Sequence, residues 1–346
     1  MKKLLTLFSL LAIIIGMLMI AGCEKDKNPV TAATPSVTQI VANGSLAPTS
    51  RTQAQGTMVI ADQSGNPITG LTSQNISVRL VWTPTVSTSD TIFGTVVIQS
   101  LSQSGRNIAV ATTMDYSGSM YVGNQDSAGK YQRILDMENG VKTFVNALST
   151  NDIAEIIKFD DYVYVVQPFT SSKQALLHAV DSTLNLGGST ALYQSIYTGI
   201  QDVAAKSASS YARAVVAFTD GGENASSIDM ATLLQAARSN AIPVYTIGLI
   251  DSVYHSTPPG QNQYSTQEQI LVQIADSTGG FYFYAPNASQ LQQIYNSISG
   301  QLSNAYTVSI TWPSTSLPSS GTSVTAVITV NYNGLISVYR QTYTMP

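Results

Sequence analysis

Asp115-Tyr116-Ser117-Gly118-Ser119 sets one carboxylate and two hydroxyls at alternate positions, just after the apolar run Ile108-Ala109-Val110-Ala111. A buried strand there gives way to a loop. Oxygen-only groups suit a hard cation such as Mg²⁺ better than Zn²⁺ or copper. Two further segments offer oxygens. Gly187-Gly188-Ser189-Thr190 stands where a helix begins, and Asp220 follows an apolar strand ending Phe218-Thr219 and precedes Gly221-Gly222. In doubly wound sheets, ligands bind at the carboxyl ends of strands where strand order reverses. If the strands bearing Asp115 and Asp220 are neighbours, both acids meet there, and Thr190 arrives from the adjoining loop. Taken alone, Asp115, Ser117 and Ser119 also fit a turn that caps a helix.

The elements that must position these groups lie between Arg106 and about Asn304, where strands alternate with helices. Strands are expected at 107–114, 152–158, 162–168, 213–219, 242–248 and 280–285, and helices at 131–148, 172–182, 190–206, 228–240, 265–277 and 287–303. Ile134, Met137, Val141, Phe144, Val145 and Leu148 keep helical spacing. Such alternation implies an α/β fold, a doubly wound, mostly parallel sheet covered on both faces. Residues 37–105 instead carry short strands, such as Thr57 to Ala61 and Ile76 to Trp82, around the turn-rich Asp62-Gln63-Ser64-Gly65-Asn66-Pro67. Residues 305–346 return to strands, and 42 residues make a poor core alone. The expectation is a β-sandwich, begun at 37–105 and completed by 305–346, with the α/β domain 106–304 inserted in it or flanked by it.

Asp115-x-Ser117-x-Ser119, Thr190 and Asp220 together resemble the metal-ion-dependent adhesion site of von Willebrand factor type A domains. The flanks agree: Phe159-Asp160 stands where the family has a Phe-Ser type turn. Gly188-Ser189-Thr190-Ala191-Leu192 is similar to its Gly-Gly-Thr-Ala-Leu, with Ser189 inserted or substituted. Phe218-Thr219-Asp220-Gly221 and Val244-Tyr245-Thr246-Ile247-Gly248 are similar to the ends of its later strands. The resemblance implies a Rossmann-like domain that holds a divalent cation, Mg²⁺ before Mn²⁺ or Ca²⁺. It assigns Ser117, Ser119 and Thr190 to direct contact and Asp115 and Asp220 to contact through water. A protein partner's Asp or Glu would fill the open vertex, helped by the positive end of the following helix. Tyr116, Glu223 and Asn224 are candidates for the rim. The resemblance also implies coupling between the loop and the last helix, around 287–303.

The N-terminus reads as an export signal. Lys2 and Lys3 precede an apolar run from Leu4 to Gly22. The run could also just span a bilayer, but Ile20-Ala21-Gly22-Cys23 resembles the lipobox of bacterial lipoproteins. Residues 1–22 are then a signal peptide, the lone cysteine Cys23 carries the lipid, and 23–36 form a flexible tether. This places the protein on a membrane of the bacterial cell envelope, at the outer membrane, its periplasmic face or the cell surface.

Charged residues are only 10% of the chain and the net charge is −4, so no basic footprint for nucleic acid exists. Gly187-Gly188 lacks the Gly-Lys-Ser/Thr of a phosphate loop, which excludes a nucleotide site of that kind. His178 and His255 have no visible nucleophile or metal partners, so no enzyme is expected. Two other classes stay open: an envelope scaffold whose α/β domain holds no metal, and a hydrolytic enzyme.

Overall fold

The computed structural model describes residues 37–83, 90–101, 105–182, 187–250, 266–285 and 288–346. The leader, the tether, Cys23 and the loop carrying His255 lie outside the described residues.

The central strand of the α/β part is β5 (Asn107–Asp115), with β6 (Ile153–Phe159) on one side and β8 (Tyr211–Thr219) on the other, both parallel to it. Beyond β8 come β9 (Val244–Gly248) and β10 (Tyr282–Tyr284), also parallel, and β7 (Val163–Thr170) closes the other edge antiparallel to β6. The sheet is therefore mixed, with one antiparallel edge.

The residues of β5 are divided between two cores, as the period of two along a strand requires. Ile108, Val110 and Met114 face one core with α1 (Gln132–Ala147) and α6 (Ala288–Ser303). Ala109 and Ala111 face the other, with Leu192, Ile196, Ile200 and Val203 of α3 (Leu192–Ala204). Small residues let α3 lie close: a Cβ on Gly199 would stand 3.0 Å from the Ala111 Cβ. The first core also takes Leu176 of α2 (Lys173–Asp181). The second takes Leu233 of α4 (Met230–Ser239) and Leu271 of α5 (Thr266–Thr278). Side-chain caps start two of these helices, Ser172 accepting from the Ala175 amide and Asp229 from that of Thr232.

The other strands form one antiparallel sheet, ordered β1 (Ile40–Ser50), β2 (Gln53–Asp62), β11 (Tyr306–Thr311), β4 (Asp90–Ser100), β3 (Ile76–Trp82), β12 (Ser323–Tyr332), β13 (Leu335–Thr344). The pairing of β4 explains how this sheet bends. Residues 90–94 pair with β3 and residues 95–100 pair with β11. At the change of partner stands Gly94, where a Cβ would meet the Trp312 ring at 2.6 Å. The edges approach, with the Ala42 amide donating to Ser337 Oγ at 2.9 Å. Leu46, Met58, Leu80, Ile310, Trp312 and Ile328 share one core.

The chain leaves this sheet after β4 and re-enters at β11. The Leu101 amide donates to the Ala305 carbonyl at 2.7 Å, so the α/β part starts and ends at one point. A second tie joins the turn after β2 to α6. Asp62 accepts from the amides of Ser64 and Asn66, and the Gly65 carbonyl accepts from Ser297 Oγ and Gln301 Nε2.

Glu155, in the middle of β6, is buried. Burial and the neighbouring Asp202 carboxylate push its pKa up to about 8. The unfolded chain releases this proton near pH 4.5, whereas the folded one keeps it. Stability therefore falls as pH rises from about 4.5 to 8, by a loss on the order of 2 kcal/mol. Urea midpoints at pH 5 and 8.5 should differ in this sense, and Glu155→Gln should flatten the difference. An unchanged slope in that variant would assign the pH dependence to other groups.

Candidate functional site

Asp115 closes β5 and Asp220 follows β8, its parallel neighbour, so both carboxylates emerge at the carboxyl end of the strands. Asp115 is fully buried. Its Oδ1 accepts from the Ser117 amide at 2.8 Å and its Oδ2 from Thr219 Oγ1 at 2.6 Å. These bonds fix the carboxylate without neutralising it. Burial, and then the nearby Asp220 charge, push its pKa up to about 7. Two acids thus face each other at some cost, which a cation between them would offset.

Ser117 is buried and Ser119 exposed, with their hydroxyl oxygens 3.2 Å apart. Thr190 precedes α3 and is nearly buried. Its amide donates to Asn224 Oδ1 at 2.7 Å, and its carbonyl accepts from the amides of Asn224 and Ala225. A Cβ added at Gly222 would stand 3.3 Å from Thr190 Oγ1 and 3.9 Å from Asp220 Oδ1. Both oxygens therefore line one small space, which the missing side chain of Gly222 leaves open. Within it, Asp220 Oδ1 is buried with no hydrogen-bond partner among the described residues. A buried acceptor left unpaired costs about 1–3 kcal/mol.

The three loops are tied together by backbone. The Gly118 amide donates to the Gly188 carbonyl at 2.9 Å, and the Ala191 amide to the Asp160 carbonyl at 2.8 Å. Gly188 has φ +95°, and a Cβ there would meet the Asp161 carboxylate, so glycine is required for this turn. The Ser189 amide donates to Asp161 Oδ1.

The structure corrects one assignment and refines others. Tyr116 is not at the rim: its side chain turns into the core, where its hydroxyl donates to Glu138 Oε1 at 2.9 Å and Lys158 Nζ lies 4.8 Å from its ring. The strand period sends it away from Asp115. Glu223 is engaged by the amides of Tyr193, Ala225 and Ser226, and Asn224 by Thr190, so both brace the Thr190 loop. The segment after Ser117 is only a short 3-10 turn, Gly118–Met120. The helix whose N-terminus follows a site residue is instead α3, after Thr190.

The sequence reading missed Arg133, in the first turn of α1. Its Nη1 is 3.1 Å from the Ser119 carbonyl and 3.3 Å from Asp220 Oδ2. It also missed Thr219, which holds Asp115, and the Asp160-Asp161 corner. No local pattern announces Arg133, because the contact needs α1 and β8 placed first. Beside the corner, Tyr162 is 69% exposed and Tyr164 37%, an aromatic surface next to the charged one.

Every candidate donor is an oxygen, three of them hydroxyls. Among the described residues no group of three or more His, Cys, Asp or Glu is arranged to hold a metal. A cation here would therefore depend on the serines and the threonine. The residue types fit that use: Ser117 and Ser119 bring paired hydroxyls, and a buried Asp220 oxygen, unpartnered among the described residues, shares a small space with the Thr190 hydroxyl.

The family model for the von Willebrand factor type A domain matches residues 110–297, more than half of the chain. Among curated proteins, none matches. Among solved structures, the chain is similar to the conserved hypothetical protein BatB from Bacteroides thetaiotaomicron. The identity is 20%, covering 56% of this chain and 98% of that one, with TM-score 0.45. It is also similar to an aerotolerance-related membrane protein from Bacteroides fragilis (20% identity, 55% and 96% covered, TM-score 0.43). A von Willebrand factor type A protein from Catenulispora acidiphila aligns over 88% of this chain and 72% of its own, at 11% identity and TM-score 0.45.

Proposed function

The chain belongs to the von Willebrand factor type A family, and from that premise we propose that it is a membrane-anchored, metal-dependent protein-binding module of the bacterial cell envelope. The observation that carries this reading is the buried, unpaired Asp220 Oδ1 facing the space it shares with Thr190 Oγ1. In this proposal Ser117, Ser119 and Thr190 hold a divalent cation, most readily Mg²⁺, through neutral hydroxyls. Asp115 and Asp220 act from the outer shell. When bound, such a cation supplies an electron-poor vertex that an Asp or Glu of a partner protein can fill. The N-terminus of α3 would favour the same anion, and Tyr162 and Tyr164 would give the partner apolar contact with a polar edge. Cys23, lipidated, would anchor the module. Among the described residues no helix is long and apolar enough to cross a membrane. No catalytic step is part of this proposal.

The test is retention of an envelope protein on the immobilised chain in millimolar Mg²⁺, released by EDTA. Retention that ignores EDTA, or that persists in Asp220→Ala, would reject the metal-dependent reading.

One observation favours a second reading, a scaffold whose domain works without metal: the Arg133 guanidinium already rests on Asp220. The two readings make opposite demands on Arg133. If a cation binds, Arg133 competes with it for Asp220, and Arg133→Ala should tighten Mg²⁺ or Mn²⁺ binding roughly fivefold, as expected for losing one half-buried opposing charge. If the arginine replaces the cation, the same variant loses stability and gains no metal affinity. Calorimetric titration with both ions, beside a melting curve in EDTA, separates them.

A further inference from the structure

At the opposite end of the mixed sheet, where β5 and β8 begin, Arg106 and Arg213 open into a cleft of about 550 Å³. Its other wall is the antiparallel sheet, through Gln55 and Thr57 of β2, Gln99 of β4 and Thr307 and Ser309 of β11. Among the described residues, the two arginines are the only charged ones lining it, and no Asp or Glu does. Pairing positive charges in a chain with a net charge of −4 calls for an account.

Arg213 is held on one side. Its Nη1 donates to the Ala204 and Lys206 carbonyls and its Nη2 to that of Asn240, at the ends of α3 and α4. Those bonds fix the guanidinium, and among the described residues no carboxylate pairs with its charge. Arg106 Nη2 donates to the Tyr211 carbonyl at 2.8 Å, while its buried Nε finds no partner among the described residues. Burial, and then the Arg213 charge, lower the pKa of Arg106, and among the described residues no acid acts against this. A half-buried guanidinium pair with a spare donor is costly alone and favourable with an anion. The planar fork of arginine matches the oxygens of a carboxylate, sulfate or phosphate.

We propose that this cleft is a second binding site, for a small hydrophilic oxyanion held by Arg106 with Arg213 as the supporting charge. The amides and hydroxyls on the antiparallel wall suit a polar body attached to that group, such as an acidic sugar. The site is independent of the metal centre. It joins the two parts of the molecule, so an occupant would brace β2 and β11 against the inserted domain.

The test is calorimetric titration of the full chain with sulfate, phosphate and glucuronate, at fixed ionic strength and in EDTA, which keeps the metal centre out of the measurement. Saturable one-to-one binding of at least one probe is expected, weakened at least tenfold in Arg106→Gln and less in Arg106→Lys. Preference for glucuronate over both inorganic ions would assign the ligand to acidic sugars; the reverse would assign it to free oxyanions. Ser309→Glu puts a carboxylate into the cleft from an exposed strand position and should also abolish binding, which serves if Arg106→Gln fails to fold. No saturable binding of any probe by the wild type, or unchanged affinity in the arginine and glutamate variants, overturns the proposal.

Discussion

Millimolar Mg²⁺ is expected to raise the melting midpoint of the wild-type protein by about 5 °C over EDTA, and to leave Asp115→Asn unmoved. A ligand that binds only the folded state at a hundred times its dissociation constant adds about 2.7 kcal/mol. For a domain of this size each kcal/mol moves the midpoint by about 2 °C. Asparagine preserves the shape of Asp115 and can still accept from the Ser117 amide. It removes the charge that a cation needs. In EDTA the order of the two proteins should reverse. Asp115 is a buried acid whose pKa is raised by burial and by Asp220. Above about pH 7 Asp115 gains its charge, and its repulsion with Asp220 is felt by the folded state alone. Asp115→Asn relieves it, so the variant should melt above the wild type at pH 8 without metal. Equal Mg²⁺ shifts in both proteins, or none in either, would reject the metal centre and leave the scaffold reading.

Strong local signals made much of the α/β part legible. The run Ile108 to Ala111 is apolar on both faces, which is the mark of a strand covered on both sides. Asp115 and Asp220 end such strands, and Thr190 stands before the periodic apolar face of α3. That β5 and β8 are neighbours is not written in either segment; it follows from the order of the whole sheet. The direction of β7 was equally hidden, because a strand's pattern does not record its polarity. Tyr116 adjoins Asp115 in sequence yet belongs to the core, because alternate residues of an extended chain point to opposite faces. Arg133 illustrates the general limit: its partner is 87 residues away. In the antiparallel sheet, the strands after residue 305 were visible by their alternation. Their places, with β11 between β2 and β4 and β12 beyond β3, were not.

Gly279→Ala should be the most damaging single change, costing about 3 kcal/mol or more. Gly279 follows α5 with φ +85°, a conformation that L side chains avoid. A Cβ there would lie 1.4 Å from the Gly44 carbonyl oxygen of β1, which is an overlap of backbone that no rotamer change can relieve. Next to it, Asn43 Nδ2 donates to the Gly280 carbonyl at 2.7 Å, and a Cβ on Gly280 would overlap the Val244 carbonyl at 2.0 Å. The turn between α5 and β10 is thus pressed directly on β1 of the other sheet. Backbone strain and lost contact act together, and such combinations give the large values among single substitutions. The location also decides how the protein unfolds. The inserted domain shares its entry and exit with the antiparallel sheet at Leu101 and Ala305, and α6 is tied to Gly65. With that many joints, damage at Gly279 should lower one cooperative transition. Urea unfolding followed both by far-ultraviolet circular dichroism and by tryptophan emission reads this directly. Trp82 and Trp312 both sit in the antiparallel core, whereas helix content reports the inserted domain. Coincident curves shifted together are expected; separated curves, or a loss below about 1 kcal/mol, would mean that the junction is looser than its geometry implies.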